Sequence, residues 1–303
     1  MACYHPISGY KSRTLTKNGK RKLTFSTKDG YVDLPLTVPC GQCIGCRIDR
    51  SRAWAMRLMH EAQSWEQKCF ITLTYDDENL PYGKTLVKSH FQNFMKRLRK
   101  KHGGAIKYFH CGEYGTLDNR PHYHAILYGV DFPDRTLHSE NHNGNTLWKS
   151  ETLSQLWGKG FCLIGNVSYQ SAAYTARYIL KKVTGERASD HYQSVDPETG
   201  EIISRTPEYI TASNRPGIAS DWIEKYHADA FPSDFLVVAG KKHPVPRFYL
   251  KRLERDNKAM HDAIKIRRIR RASTKSAKAD NTPERLAVRE EIKISQINQL
   301  KRG

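Results

Sequence analysis

His122, Tyr123 and His124 open the run His-Tyr-His-Ala-Ile-Leu-Tyr, which lies between Pro121 and Gly129. Aliphatic and aromatic residues between two such breakers predict a buried strand. In a strand, residues i and i+2 point to one face. His122 and His124 then lie side by side, and Tyr123 faces the other way. Two imidazoles so placed can hold one metal ion. Glu113, in Gly-Glu-Tyr-Gly, offers a third donor. If residues 106–112 form the preceding strand, the loop after it returns Glu113 to the same edge. The plainer reading is two half-buried polar residues bonded to backbone, and short motifs match by chance often. The pattern downstream weighs against it.

Residues 171–182 read Ser-Ala-Ala-Tyr-Thr-Ala-Arg-Tyr-Ile-Leu-Lys-Lys. On a helix of about 100° per residue, Ala172, Ala176, Ile179 and Val183 form a narrow apolar stripe. Tyr174, Tyr178 and Lys181 gather on another side. Core tyrosines would join the apolar stripe. These share a polar side with a lysine, as two nucleophiles presented to a cleft would. Gly185 is expected to close the helix.

A third cluster is Pro-Cys-Gly-Gln-Cys-Ile-Gly-Cys, which places Cys40, Cys43 and Cys46 at Cys-x2-Cys-x2-Cys spacing. Its glycines allow a loop tight enough to turn several sulfurs to one point. A structural zinc ion takes four nitrogen or sulfur ligands, and Cys3 or His5 is the candidate fourth. An iron–sulfur cluster ranks lower, because nothing else suggests electron transfer. The alternative is three reduced thiols in a loop. The module reads as structural, setting the basic helix that follows it on DNA.

A chain of 303 residues makes one large domain or two modest ones. Lys and Arg number 50 against 31 Asp and Glu, a net charge of +19, which points to a nucleic-acid partner. Mean hydropathy is −0.69, and no stretch has the apolar length of a membrane span. The first residues, Met-Ala-Cys-Tyr-His-Pro, lack the apolar core of a signal peptide, so the expected setting is cytoplasm. Seven cysteines in a reducing compartment do not suggest a disulfide framework. Gly83-Lys84-Thr85 has Glu78 where a phosphate-binding loop needs its first glycine, which argues against an ATPase.

The elements that must position these residues follow from periodicity. A helix is expected over 47–67, with Trp54, Leu58 and Met59 on its apolar side. Strands are expected over 69–75, 105–111, 122–128 and 161–167. Helices are expected over 88–102, on Phe91, Phe94, Met95 and Leu98, and over 150–157. This order is the split βαβ arrangement. It predicts an α+β, ferredoxin-like or RRM-like antiparallel sheet with helices on one face and the histidines on a central strand. Residues 1–39 read as irregular with short strand-like pieces, 131–148 as a loop, and 186–220 as a long irregular connection. A helix is expected from Ser220, and a charged helical pattern from Lys251. Within that pattern Arg267, Arg268, Arg270 and Arg271 form a basic run, either a DNA-contacting arm or a solvated tail. Arg177 and Lys182 are further candidate DNA contacts. The expected division is a cysteine-rich module with its basic helix (1–67), a catalytic core (68–185), and a connection with a basic, mostly helical C-terminal region (186–303).

Three motifs, in order, resemble the HUH endonucleases, named for a His-hydrophobic-His strand. They resemble most the replication initiators of microviruses, the gokushovirus-like single-stranded DNA phages. Phe-Ile-Thr-Leu-Thr-Tyr at 70–75 is similar to the first motif. Gly-Glu-Tyr-Gly at 112–115 followed by Pro-His-Tyr-His at 121–124 is similar to the second, with its upstream acidic ligand. Tyr-Thr-Ala-Arg-Tyr-Ile-Leu-Lys at 174–181 is similar to the third, with the paired tyrosines of the phage subgroup. The cysteine run also resembles that branch. The motifs span 40–182, and none carries 186–303.

The resemblance implies that His122, His124 and Glu113 hold one divalent cation. Their donor set suits Mg²⁺ or Mn²⁺ rather than structural zinc. Tyr178 or Tyr174 would attack a phosphodiester of single-stranded DNA, with Lys181 supporting phenolate character. The products would be a 5′-phosphotyrosine and a free 3′-OH that primes rolling-circle replication, the second tyrosine serving the rejoining step. The covalent link conserves the bond energy, so rejoining needs no ATP, in keeping with the missing phosphate loop. Implied partners are an origin in single-stranded DNA and the host replication helicase and polymerase, in the cytoplasm of a bacterial host. A plasmid mobilisation relaxase shares the chemistry, but its tyrosine normally precedes the histidine motif. A single-tyrosine transposase does not account for the pair. A non-enzymatic, zinc-dependent nucleic-acid-binding regulator leaves both the histidine strand and the tyrosine side unexplained.

Overall fold

The computed structural model describes residues 3–17, 19–115, 118–140, 144–177, 182–183, 187–196, 199–238 and 240–299. Tyr178, Ile179, Lys181 and Gly185 lie outside the described residues, and Arg177 is described in its backbone. The chain divides into two compact units, residues 1–50 with 257–303, and residues 51–256.

The first unit opens with β1 (Ile7–Leu15), β2 (Arg21–Thr24) and β3 (Gly30–Val38), an antiparallel sheet in the order β2-β1-β3. Residues 1–39 are therefore not irregular. Most of these strand residues are exposed, so the apolar alternation that marks a half-buried strand is missing from the sequence. At Gly30 a Cβ would come within 2.5 Å of the Tyr10 Cβ, so only glycine lets β3 approach β1 there. Helix α1 (Ile44–Ala62) begins inside the cysteine run and continues into the second unit. It starts and ends earlier than the sequence suggests. Ala55, Met56, Leu58 and Ala62 are its buried apolar residues, while Trp54 and Met59 are half-buried.

The second unit is built on β4 (Lys68–Thr74), α2 (Lys88–His102), β5 (Lys107–Tyr114), β6 (Pro121–Tyr128), β7 (Thr136–Glu140), β8 (Thr146–Lys149), α3 (Glu151–Trp157), β9 (Cys162–Gly165) and α4 (Tyr169–Arg177). After α5 (Arg187–His191) come the hairpin β10 (Gln193–Val195) and β11 (Ile202–Ser204), then β12 (Tyr209–Ala212). The unit closes with α6 (Ser220–Lys225), α7 (His227–Ala230), the hairpin β13 (Phe235–Val238) and β14 (Lys241–Pro244), and α8 (Arg247–Asp256). The first unit is completed by α9 (Lys258–Ala272), α10 (Lys275–Ala279) and α11 (Pro283–Gln299).

Seven strands pair antiparallel in the order β12-β5-β6-β4-β9-β8-β7. The middle four, β5-β6-β4-β9, with α2 and α3, are the split βαβ core expected from the sequence. The 131–148 segment is not a loop but supplies β7 and β8, which extend the sheet beyond β9. The 186–220 segment is not wholly irregular either, since β12 caps the opposite edge on β5. Both were hidden because their strands are short: Tyr-Ile-Thr-Ala is four half-buried residues set among Pro, Gly and Ser.

Alternation divides the sheet cleanly. Ile71, Leu73, Tyr123, Ala125, Leu127, Cys162 and Ile164 join the core with Phe91, Phe94, Met95 and Leu98 of α2 and Leu153 and Trp157 of α3. Arg97 ties the two helices by donating to the Leu156 and Trp157 carbonyls at 2.8 and 3.0 Å, which satisfies the end of α3. The opposite face carries His122 and His124. Part of it is covered by α1, where the Tyr128 hydroxyl donates to the Leu58 carbonyl at 2.8 Å and Trp54 lies 4.8 Å from Phe109.

A second packing centre joins α1, α6 and α8. The His60 ring stacks on Trp222 with centroids 3.5 Å apart, and its Nδ1 lies 2.7 Å from the Tyr249 hydroxyl. Burial pushes the imidazole down from 6.5 to about 4. The unfolded chain then binds a proton at a pH where the folded one does not. The stability this contributes is present above about pH 6.5 and is lost as pH falls towards 4. A shift of this size corresponds to about 3 kcal/mol. Denaturant unfolding of wild type should therefore weaken across that window, and His60→Gln should show a flatter pH profile there.

Candidate active site

Glu113 is not returned by a loop. It lies in β5, directly opposite His122 across the β5–β6 ladder. Residues paired across a ladder share a face, and His124 is two residues on. The geometry follows from register: the His122 Nε2 lies 2.7 Å, and the His124 Nε2 2.9 Å, from the same Glu113 Oε1. Glu113 and His124 are buried and His122 is half-buried.

The outer nitrogens are also held. The His122 Nδ1 faces the Arg120 carbonyl at 3.1 Å, and the His124 Nδ1 faces the Thr72 hydroxyl at 2.9 Å. A carbonyl only accepts, so the His122 Nδ1 carries the proton. A neutral ring then leaves its Nε2 lone pair aimed at a carboxylate oxygen. Two acceptors at 2.7 Å require a proton or a cation between them. Burial pushes the Glu113 carboxyl up, but its bonds to His122 and His124 outweigh this and hold it well below the usual carboxylate range. Two imidazoles and an ionised carboxylate converging on one point fit a divalent cation, and three ligands leave positions open for substrate oxygen.

Arg120 is itself fixed, donating to the Tyr75 carbonyl at 2.9 Å and pairing with Asp77. Sequence reasoning missed Arg120 and Thr72. Thr72 falls inside the first motif, two residues from Phe70, and its place on the histidine face was the available signal.

Helix α4 brings Tyr174 to this centre. Ala172 and Ala176 are fully buried, as the wheel requires, and Tyr174 is 42% exposed. Its ring lies edge-on to His124 at 5.3 Å and to Phe70 at 6.4 Å. Of the other expected site residues, Lys182 is exposed, and Arg267, Arg268, Arg270 and Arg271 are exposed on α9 in the other unit.

Comparison with known proteins bears on this arrangement. A family model for replication-associated proteins of the ORF2 type matches residues 68–183. Replication-associated protein VP4 of Bdellovibrio phage phiMH2K is 32% identical over 261 residues, covering 82% of this chain and 76% of the relative. Replication-associated protein ORF2 of Spiroplasma virus 4 is 33% identical over 234 residues, covering 73% and 68%. The chain belongs to the phage replication-associated protein family. A third member, ORF4 of Chlamydia phage 1, is 29% identical over 234 residues, covering 73% of this chain and 55% of the relative. No solved structure matches. The family agrees with the microvirus-type resemblance of the three motifs.

This family member carries a second cluster. The sulfurs of Cys3, Cys40, Cys43 and Cys46 all lie within 4.8 Å of one another, with Cys3 Sγ 3.7 Å from Cys40 Sγ and 4.0 Å from Cys43 Sγ. A tetrahedral site with bonds of about 2.3 Å has sulfur–sulfur edges of about 3.8 Å. His5 instead pairs with Glu290 at 2.5 Å, so the sulfur set is completed by Cys3. Backbone N–H groups of Tyr4, Cys40 and Cys43 point at these sulfurs at 3.2 to 3.3 Å. Burial raises the Cys43 thiol, but N–H bonds and its cysteine neighbours outweigh this and hold it at about 6. Burial pushes Cys3 up, and burial with the neighbouring sulfurs pushes Cys46 up. Four sulfurs within 4.8 Å of one another make a donor set that fits a metal ion.

The outer hydrogen bonds of the Glu113–His122–His124 site make a testable claim. Losing the hydroxyl that orients His124 in Thr72→Val should weaken Mn²⁺ binding roughly 10–100-fold without unfolding the protein. Titration of Mn²⁺ by calorimetry reads this, and an unchanged affinity would show that Thr72 does not orient the ligand.

Proposed function

We propose that this protein initiates rolling-circle replication of a phage genome by nicking and rejoining single-stranded DNA through tyrosine transesterification. What carries the reading is the convergence of the His122 and His124 Nε2 atoms on the Glu113 Oε1 at 2.7 and 2.9 Å, with the Tyr174 ring 5.3 Å from His124. The names of its relatives support the replication role.

When bound, Mg²⁺ or Mn²⁺ would act as a Lewis acid on the scissile phosphate. His122, His124 and Glu113 would hold it, with Arg120 and Thr72 fixing the rings. The hydroxyl of Tyr174 or Tyr178 attacks phosphorus in line. A Tyr O–P bond forms, the P–O3′ bond breaks, the phenol proton is lost, and the 3′ oxygen is protonated. Lys181 supports the phenolate, whose unperturbed pKa is about 10. The 3′-OH primes synthesis by host helicase and polymerase in the bacterial cytoplasm, and the second tyrosine permits another cut and closure. Residues 68–185 are the endonuclease core in this reading. The cysteine module of 1–67 is held by zinc, and Arg177, Lys182, Arg267, Arg268, Arg270 and Arg271 contact DNA.

Two outcomes test these assignments. Purified protein should contain about one equivalent of zinc, and Cys43→Ser should lose it together with thermal stability. Zinc-free protein that is fully folded would return the cluster to plain thiols. Tyr174→Phe and Tyr178→Phe should each retain some Mn²⁺-dependent cleavage of single-stranded DNA but lose repeated cleavage and joining. The double variant should form no covalent adduct by mass spectrometry, and an adduct in that variant would remove the tyrosine scheme.

A further inference from the structure

Phe161 is 69% exposed although it adjoins a buried part of the sheet. We propose that Phe161 is a stacking platform for a base of single-stranded DNA, on a track that leaves the histidine site across β4 and β9 towards Lys149. The choice of ligand rests on the function proposed above.

Side-chain alternation places the track. Cys162 and Ile164 belong to the core on the α2 face, so Phe161 and Leu163 project from the other face, with the histidines. Thr74 lies opposite His122, and its N–H donates to the Phe161 carbonyl at 2.9 Å. His122, Thr74 and Phe161 therefore form one row across three adjacent strands. His124, Thr72 and Leu163 form the next row. Trp148 pairs with Ile164, so the following residue, exposed Lys149, extends the second row beside Leu163. Neighbouring strands are about 4.8 Å apart, so Phe161 stands roughly 10 Å from His122, within reach of a nucleotide near the scissile phosphate.

The platform is rigid. Besides the Thr74 bond, the Asp76 N–H donates to the Lys159 carbonyl at 3.1 Å. Gly160 between them has φ +129°, and a Cβ there would meet the Asp76 nitrogen at 2.2 Å. The backbone under Phe161 is thus laid tightly on the end of β4, so no backbone freedom need be lost when the exposed ring binds.

Direction follows from what is covered. Beyond His124 the face is closed by Tyr174 and Phe70, and further along by Trp54 on Phe109 and by α1 over Tyr128. On the β4–β9 side Phe161 and Lys149 are exposed. Thr72, Thr74 and Leu163 there are half-buried, and exposed Lys149 puts a cation at the far end. In the acidic turn past β4, Arg120 pairs with Asp77, and the Asp76 carboxylate is bonded by Asn79. An exposed ring, threonines and one lysine suit a base-stacking track, since stacking is sequence-tolerant and every base has a π face.

The test is fluorescence anisotropy with a fluorescein-labelled, mixed-sequence single-stranded DNA oligonucleotide, in buffer without added Mg²⁺ or Mn²⁺ so that no cleavage occurs. Phe161→Ala should bind roughly 10-fold more weakly, Phe161→Trp should retain affinity, and Phe161→Leu, apolar without a π face, should resemble Ala. Lys149→Gln should lower the salt slope by about one unit. Affinity unchanged in Phe161→Ala, affinity restored by Leu, or no binding by wild type overturns the platform. Circular dichroism confirms that each variant is folded. Wild type that binds but never cleaves with Mn²⁺ sinks the endonuclease reading alone. Normal cleavage with Phe161→Ala binding unchanged sinks the platform alone.

Discussion

Glu113 faces His122 across the β5–β6 ladder, and much of the packing of residues 51–256 around it keeps that pair in register. A slip of one residue would send Glu113 into the core and bring His110 or Gly112 to the site. Three features oppose it. Tyr123 is fully buried on the opposite face, where its hydroxyl donates to the Val87 carbonyl at 3.0 Å and lies 2.7 Å from the Tyr75 hydroxyl. Gly112 sits where a Cβ would press within 3.0 Å of Leu86 and 3.1 Å of Tyr209. The turn closes through the Gly115 N–H, which donates to the Arg120 carbonyl at 3.0 Å. A buried carboxylate in a strand is costly unless paired. The register that supplies two imidazoles is what makes it tolerable.

Arg120 links this ladder to the neighbouring strand. Its carbonyl accepts from both Gly115 and the His122 ring, while its guanidinium donates to the Tyr75 carbonyl at the end of β4. The tautomer of His122 and the closure of the β5–β6 turn therefore depend on one residue. Thr72 does the corresponding work for His124 from inside β4. The site is thus oriented by backbone and hydroxyl groups of rigid strands, the support that a ligand set needs to hold its geometry.

The histidine pair was legible because a strand has a period of two and its residues are apolar enough to identify. The α2 helix was legible to its ends, because Phe91, Phe94, Met95 and Leu98 form one stripe and Gly103, at φ +67°, stops it. Glu113 was legible as a neighbour of the histidines but not as a strand residue. Gly-Glu-Tyr-Gly has the composition of a turn, and only pairing, of Gly112 to both β6 and β12 and of Glu113 and Tyr114 to β6, makes its first three residues strand. The N-terminal sheet and β12 were illegible for the same reason, since their stability is tertiary and their own patterns are weak. Cys3 could not be separated from His5 by spacing. It took the fold of β1 and the loop before α1 to bring a sulfur 37 residues away against Cys40.

The two clusters differ in chemistry in a way that lets one chain carry both. Four sulfurs make a closed, soft set, and nothing among the described residues leaves it an open position of the kind a substrate would need. Two imidazoles and a carboxylate make a harder set, with only three protein ligands. Each lies in a different compact unit. A thiophilic ion is drawn to the sulfurs, where every ligand is supplied by protein, and a harder ion suits the site where a phosphate oxygen could complete the shell. Donor chemistry, not the order of the residues, is what distinguishes the two sets.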